Sequence, residues 1–227
     1  MKICLAGPIN GRILDTYLKA RLLGAEYILC TGSVGIWPDP QRLDTATRRY
    51  GCGDFAELYL NQWDGKIPLL FVAGPNEDHE WLRKRLGREK LLPNLQYLEN
   101  SKNWIIGGDT LVSGVGRVFS PKTYWGYPSP KRERHYTQQD LDETSPCDIL
   151  LMYEGIEGET FGDVQSEALG TKYLVRNTKP QLVVHSGYGT SKDYEFEGVP
   201  VIALAPGELR LIDWDLEQNR VKKDSFQ

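Results

Sequence analysis

The residues best placed to do chemistry stand in short polar turns, each of which directly follows an apolar run. In the C-terminal half, the run from Leu182 to His185 opens into a turn that holds Tyr188 between two glycines. An earlier run, from Asp148 to Tyr153, ends in the equally polar pair Glu154-Gly155. Apolar runs that stop at glycine and polar residues are typical of strands whose ends form an active-site rim on an α/β sheet.

The N-terminal part of the chain repeats this arrangement three times. Apolar runs predict strands from Lys2 to Ala6, from Tyr27 to Thr31 and from Pro68 to Ala73, and each stops at a glycine-containing turn. Apolar residues at helical spacing follow the first strand, namely Leu14, Tyr17, Leu18 and Leu22. Similar spacing after Asp78 predicts a helix behind the third strand. We therefore predict βαβαβα for this part of the chain.

From Leu95 to Phe119 the apolar runs are shorter and are mostly separated by glycines, which predicts an antiparallel or mixed segment. The Pro121–Arg134 loop follows, with three prolines and three aromatic residues. Long loops in compact domains are often functional, so this one is a candidate docking site for a protein partner. Aromatic residues that could form a contact surface, or pack over the core instead, are Trp37, Tyr124, Trp125 and Tyr127.

The C-terminal part is predicted to complete a second sheet. A long helix before Lys179-Pro180 is predicted from the spacing of Val164, Ala168, Leu169 and Val175. Proline cannot continue a helix, so this helix should stop there and the strand from Leu182 should follow. Two later runs, Val199 to Leu204 and Leu209 to Trp214, are predicted to form a meander that closes the second sheet.

Length and composition indicate an ordinary globular protein. The chain has 227 residues and no linker-like segment, which predicts one domain over residues 1–227. Its formal net charge of −4 argues against a surface for nucleic acid or membrane that depends on bulk electrostatics. No apolar run approaches the ~20 residues of a membrane span. The four cysteines are widely spaced, and with no secretory signal ahead of them they indicate a cytoplasmic location.

The turns after the strands resemble the metal-binding motifs of the calcineurin-like metallophosphoesterases. Members of that family carry D-x-H-G, G-D, G-N-H-[DE], a histidine at a strand end and G-H-x-H at successive turns. The corresponding stretches here are Gly7-Pro-Ile-Asn-Gly11-Arg12, Gly32-Ser33, Gly74-Pro-Asn-Glu77, Asp148-Ile-Leu-Leu-Met-Tyr-Glu-Gly155 and Gly187-Tyr-Gly-Thr190. The resemblance covers most of the chain, and its first motif is most similar to that of lariat-debranching and related domains. It implies a four-layer α-β-β-α sandwich, in which helices flank two mixed sheets.

The same resemblance implies a dinuclear metal site, in which two divalent ions activate a water for attack on a phosphate. Carried over residue by residue, the family's ligand positions fall on Pro8, Asn10, Ser33, Pro75, Asn76, Tyr153, Tyr188 and Thr190. A proline side chain cannot bind a metal, and hydroxyl groups are poor ligands for these ions at neutral pH. As the family builds it, this site cannot form from these residues.

A count of histidines points the same way. The chain has three, His79, His135 and His185, whereas the family's site alone commonly uses four or five. The preferred hypothesis is therefore a metallophosphoesterase-fold protein that has lost its dinuclear site and acts as a non-catalytic binding or regulatory module. No cofactor is expected on this hypothesis, and a phosphate-bearing small molecule or a nucleotide is the expected ligand.

The alternative is an active phosphoesterase with a reduced or relocated site. If Pro75 is an insertion, Asn76 becomes the ligand asparagine and Glu77 takes the place of the histidine. A single divalent ion such as Mn or Zn would then be held by Asn76, Glu77, Asp78 and His185, with help from Asp39 or Glu154. A purely structural role is also open for Glu77 and Asp78, as acidic residues in the first turn of a helix, where they favour the helix dipole.

The candidate site residues are chosen for their place at the predicted strand ends. They are Asn10, Arg12, Ser33, Asn76, Glu77, Tyr153, Glu154, His185 and Tyr188. Arg12 precedes a predicted helix and could hold an anion there, or could be solvated. Tyr153 and Tyr188 are expected to point into the space that the metals would have occupied. His79 is expected at the surface or facing the cleft.

Overall fold

Two six-stranded sheets form the centre of the structure, a computed structural model that describes residues 1–45, 47–49, 53–85, 91–98, 102–126, 132–186 and 188–222. The first sheet contains, in spatial order, β14 (Arg220–Val221), β13 (Leu209–Asp215), β1 (Lys2–Ala6), β2 (Tyr27–Cys30), β3 (Leu69–Phe71) and β4 (Leu95–Tyr97). The second contains β11 (Lys192–Phe196), β12 (Val199–Leu204), β10 (Leu182–Ser186), β7 (Ile149–Met152), β6 (Thr110–Val115) and β5 (Trp104–Ile106).

Helices and one hairpin complete the fold. The helices are α1 (Ile13–Leu22), α2 (Phe55–Leu60), α3 (His79–Arg85), α4 (Pro121–Tyr124), α5 (Gln138–Asp142) and α6 (Thr171–Thr178). Single 3-10 turns occur at Pro40–Arg42, Thr47–Arg49 and Arg132–Arg134, and the hairpin pairs β8 (Thr160–Phe161) with β9 (Val164–Gln165). None of the described helices is long and apolar enough to cross a membrane.

Parallel pairing brings the strand ends to common edges. In the first sheet β1, β2, β3 and β4 run parallel, with Ala6 opposite Cys30 and Cys30 opposite Phe71. In the second sheet β6, β7, β10 and β12 run parallel, while β5 and β11 pair antiparallel at its edges. The turns that follow the parallel strands therefore lie side by side.

Alternation of side chains along the strands builds the layers. In β1, Ile3 and Leu5 point into the core between the two sheets. Cys4 and Ala6 point to the opposite face of the first sheet, where they pack with residues of α1. The indole of Trp214 lies in the inter-sheet core and donates a hydrogen bond to Thr110 Oγ1 at 3.1 Å. This arrangement confirms the predicted α-β-β-α sandwich with two mixed sheets.

Three predicted elements were wrong. The segment around Val164 is the β8–β9 hairpin, and helix α6 starts only at Thr171 because Gly162 and Gly170 adopt left-handed φ values of 60° and 86° that interrupt a helix. Strand β13 does not close the second sheet, since it pairs with β1 in the first. The predicted strand before Phe119 is reduced to one isolated bridge between Val118 and His135.

The aromatic residues proposed as a contact surface divide between core and surface. Trp37 and Tyr124 are buried, whereas Trp125 is 64% exposed at the end of α4. Tyr127 and the rest of 127–131, within the Pro121–Arg134 loop, lie outside the described residues. Cys4 and Cys30 are buried as small apolar residues, and Cys52 also lies outside the described residues.

Candidate functional site

The ends of β1, β2, β3 and β7 bring four predicted site residues together, and we call Asn10, Ser33, Asn76 and Tyr153 the rim. The Asn10 N–H donates to the Ser33 carbonyl at 2.6 Å, and the Asn76 side-chain amide donates to Asn10 Oδ1 at 3.2 Å. Asn10 and Ser33 hold φ values of 47° and 45°. Left-handed backbone at non-glycine residues is strained and concentrates at functional sites.

The Tyr153 ring fills the space between the β2 and β3 turns. A Cβ added at Gly32 would lie 2.9 Å from Tyr153 Cδ2, and one added at Gly74 would lie 2.8 Å from Tyr153 Cε2. Burial raises the pKa of Tyr153 to about 12, an effect that contact with the Ser33 hydroxyl partly offsets. The phenol therefore stays protonated at neutral pH and packs against two glycines.

Glu77 lies beneath the rim, where its carboxylate holds a loop of the backbone. It accepts N–H groups from Val34 at 2.7 Å, Gly35 at 2.9 Å and Ile36 at 2.7 Å. The residue is 1% exposed. Burial raises the pKa of Glu77 to about 7, although the backbone N–H groups act in the opposite direction. Its oxygens are thus committed to the turn that follows β2.

Asp78 and Asp39 cap short helical segments. Asp78 accepts the Trp81 N–H at 3.1 Å in the first turn of α3, and its carboxylate also pairs with Arg42 at 3.1 Å. Asp39 accepts the Gln41 N–H at 2.9 Å. Capping satisfies donors at the start of a helix that have no partner within it.

Glu154 and Tyr188 form the part of the site that belongs to the second sheet. Glu154 accepts the Phe119 N–H at 2.8 Å and interacts with the Tyr136 hydroxyl, and burial raises its pKa to about 7. The Tyr188 hydroxyl accepts the Gly155 N–H at 3.1 Å. Tyr188 is left-handed as well, with φ 49°.

His185 is enclosed within the second sheet and has no exposed surface. Its Nδ1 lies 2.8 Å from the Ser186 carbonyl, and its Nε2 lies 2.9 Å from the Tyr194 hydroxyl. Burial lowers the pKa of His185 to about 4, so its imidazole is neutral at physiological pH. Both ring nitrogens are occupied by these contacts.

Arg12 is exposed at the start of α1. Its Nε contacts the Ile9 carbonyl at 3.4 Å, and its guanidinium packs against Gly207. The side chain therefore lies against the turn that precedes β13.

The donor chemistry of these residues does not fit a pair of divalent ions. The rim offers two amides, one hydroxyl and one protonated phenol, whereas a pair of divalent ions in a protein depends on carboxylates and imidazoles, to which an amide oxygen is only an addition. Within the described ranges, no three His, Cys, Asp or Glu side chains lie together in a way that could hold a metal ion. Glu77, Asp78 and His185 are all described, and they point to separate partners.

The buried carboxyl of Glu154 predicts a measurable pH dependence. Its folded pKa of about 7 exceeds the ~4.5 of an ordinary glutamate. The stability that it contributes is full below about pH 4.5 and is lost as the pH rises to about 7. Replacement by the neutral isostere glutamine removes this loss, so Glu154→Gln should gain about 1.4 kcal/mol per pH unit relative to wild type in that window.

Urea unfolding of both proteins across that window tests the prediction. Other titrating groups, including the buried His185, contribute equally to both proteins and cancel in the difference. Glu57→Gln, at an exposed carboxyl on α2, is the control. Parallel stability curves for Glu154→Gln and wild type would contradict the assignment.

Comparison with known proteins rests on the fold alone. The sequence matches no protein-family model and no curated protein. Among solved structures, TT1561 of Thermus thermophilus is 18% identical with TM-score 0.58, covering 97% of this chain and 96% of that one. The chain has a calcineurin-like fold.

Two further structures extend this likeness. A candidate 5′-nucleotidase from Staphylococcus aureus, in complex with alpha-ketoglutarate, is 12% identical with TM-score 0.53. The match covers 99% of this chain and 52% of that one, so the chain spans about half its length. GAP50, the anchor in the inner membrane complex of Plasmodium, is 13% identical with TM-score 0.52, covering 90% of this chain and 71% of that one. The calcineurin-like fold thus occurs here with a rim of amide and hydroxyl groups.

Proposed function

We propose that the chain is a calcineurin-like protein that has lost the dinuclear metal site and binds a ligand on its rim without turning it over. One observation carries this proposal: the Tyr153 ring occupies the space between Gly32 and Gly74, where the strand ends converge. The amides of Asn10 and Asn76 bond to each other across the same space. Uncharged side chains thus occupy the space at the strand ends where the metallophosphoesterases hold their ions.

A phosphate-bearing small molecule or a nucleotide is the proposed ligand. Asn10, Asn76 and Tyr153 are partly exposed and present amide and hydroxyl groups, and the exposed Arg12, two residues after Asn10, adds a cation. Guanidinium and amide donors together suit a phosphate group. One structural neighbour is named as a candidate 5′-nucleotidase, which supports a nucleotide as the first ligand to try. Among the described residues of the Pro121–Arg134 loop, the exposed indole of Trp125 supports the proposed protein partner.

The test separates metal content from ligand binding. Protein from unsupplemented and from manganese-supplemented cultures should contain well below one Mn, Fe, Zn or Ni ion per chain by elemental analysis. Hydrolysis of bis-p-nitrophenyl phosphate should stay at the rate of buffer, with or without EDTA. Two tightly held ions per chain, or EDTA-sensitive hydrolysis, would support the alternative of an active phosphoesterase.

Ligand binding is tested with a panel of mononucleotides by calorimetry. Arg12→Ala should weaken binding about tenfold or more, because a charge-assisted hydrogen bond is lost. Arg21→Ala is the matched control, since Arg21 is also an exposed arginine and lies near the other end of α1. Equal losses in the two variants would mean that only net charge matters and that the rim is not the site.

A further inference from the structure

A cavity opens at the ends of β4 and β6, between α3 and α5. Its volume is about 450 Å³, which lies in the usual range for small-molecule sites. Its lining includes His79, Tyr97, Arg117, His135 and Asp140. The Arg117 N–H donates to the Ala73 carbonyl, which fixes β6 against the turn after β3. The cavity shares none of the four rim residues.

His79 lines this cavity and carries a nitrogen without a hydrogen-bond partner among the described residues. This nitrogen, Nε2, is buried. The ring also interacts with the backbone of Gly74. Burial, followed by the charges of Arg117 and Arg134, lowers the pKa of His79 to about 3. A buried polar atom without a partner costs free energy, and a bound ligand is one way to recover it.

Arg117 brings a positive charge that is held in a strained position. Its φ is 73°, a conformation that arginine rarely adopts, and its side chain is only 20% exposed. Tyr97 and Asp140 stand beside the guanidinium, and the distance from Arg117 Nη1 to Asp140 Oδ2 is 3.6 Å, beyond hydrogen-bond length. A guanidinium has five N–H donors in a fixed fork, so one neighbour on each side leaves room for a ligand oxygen as a further acceptor.

The acidic residues of the cavity have partners of their own. Asp140 Oδ2 accepts the Thr137 N–H at 2.7 Å and the Thr137 hydroxyl at 2.8 Å. Glu143 accepts the Gln139 amide at 2.6 Å, and Glu133 lies 3.6 Å from Arg83. A ligand oxyanion would therefore meet Arg117 as a guanidinium already ion-paired with Asp140, and would compete with that carboxylate for its N–H groups.

We propose that this cavity binds the oxyanion group, phosphate or carboxylate, of a small molecule, with Arg117 as donor. His79 Nε2 would accept from a protonated phosphate oxygen or, for a carboxylate, donate after taking up one proton from solvent on binding. Arg117 supplies the positive charge, and the His79 nitrogen supplies a directional hydrogen bond. Neither depends on the ligand proposed for the rim.

Imidazole signals in a proton–carbon NMR spectrum test the proposal, because the chain has only three histidines. Inorganic phosphate and acetate are added separately to the full chain, with His79→Gln to assign the signals. The His79 and His135 signals should shift and saturate with one anion or both, which also tells a phosphate site from a carboxylate site. The signal of His185, which is enclosed in the second sheet, should not move.

Arg117→Gly should weaken anion binding about tenfold or more. Glycine adopts the φ of this position without strain, so the variant should keep its fold, and the unchanged His185 signal verifies that. Arg176→Ala, at an exposed arginine on α6, is the charge-matched control. The proposal is overturned if neither anion gives a saturable shift, or if the two variants weaken binding equally.

Discussion

Replacing Glu77 by alanine should lower the free energy of unfolding by about 3 kcal/mol or more, because three buried N–H groups would lose their acceptor at ~1–3 kcal/mol each. Those groups belong to Val34, Gly35 and Ile36, and the Glu77 carboxylate lies 2.7 to 2.9 Å from their nitrogens. Glu77→Gln keeps one acceptor oxygen and should fall between alanine and wild type. Urea unfolding at neutral pH measures all three proteins.

Glu80→Ala is the control for this experiment, since Glu80 lies on the same helix with its side chain 51% exposed and should change stability little. The experiment also separates two roles for Glu77. If this carboxylate were a metal ligand, alanine would remove an ion and its hydrolytic activity while the 34–36 turn stayed stable. A Glu77→Ala protein that unfolds like wild type but loses a bound ion would therefore contradict a structural role.

Buried parallel strands were the most predictable elements of this fold. Such strands are apolar on both faces, so β1, β2, β3, β7 and β10 are continuous apolar runs that end in glycine or polar turns. The partners of a strand were harder to predict. Nothing local to Leu209–Asp215 says that it crosses to the first sheet and pairs with β1.

Helix α1 shows where periodicity alone fails. The predicted helix forms, but Leu14, Leu18 and Leu22 are 39%, 61% and 87% exposed. Tyr17 is buried as predicted, and Ile13, Thr16 and Ala20 complete the buried face. Leucines at helical spacing identify a helix, whereas the face that packs depends on the shape of the sheet beneath it.

The positions of the candidate site residues could be predicted from the sequence, but their contacts with distant parts of the chain could not. The sequence places Asn10, Ser33, Asn76 and Tyr153 after successive strands, and the parallel sheets bring them together. That Glu77 would hold the 34–36 turn depends on a contact across more than forty residues. Arg117 carried no motif, and its left-handed φ is visible only in the folded chain.

Replacing Tyr153 by alanine should lower the free energy of unfolding by about 2–4 kcal/mol, because a largely buried ring is removed from between two glycines. The ring atoms lie 2.8 to 2.9 Å from where a Cβ would stand on Gly32 and Gly74, so the strand ends are shaped around it. Tyr153→Phe keeps the ring and should lose less than about 1.5 kcal/mol, the usual range for one neutral hydrogen bond. Thermal or urea unfolding of the two variants separates packing from the hydroxyl.

Tyr153→His tests whether Tyr153 alone prevents metal binding, since histidine is the residue that the family resemblance places at this position. The smaller imidazole opens space and adds one good ligand, but Ser33, Asn10 and Asn76 still offer only hydroxyl and amide groups. Elemental analysis should therefore find this variant as poor in Mn, Fe, Zn and Ni as wild type. If this one substitution restored two ions per chain, Tyr153 alone would have been excluding them, and the remaining rim residues would have to be ligands after all.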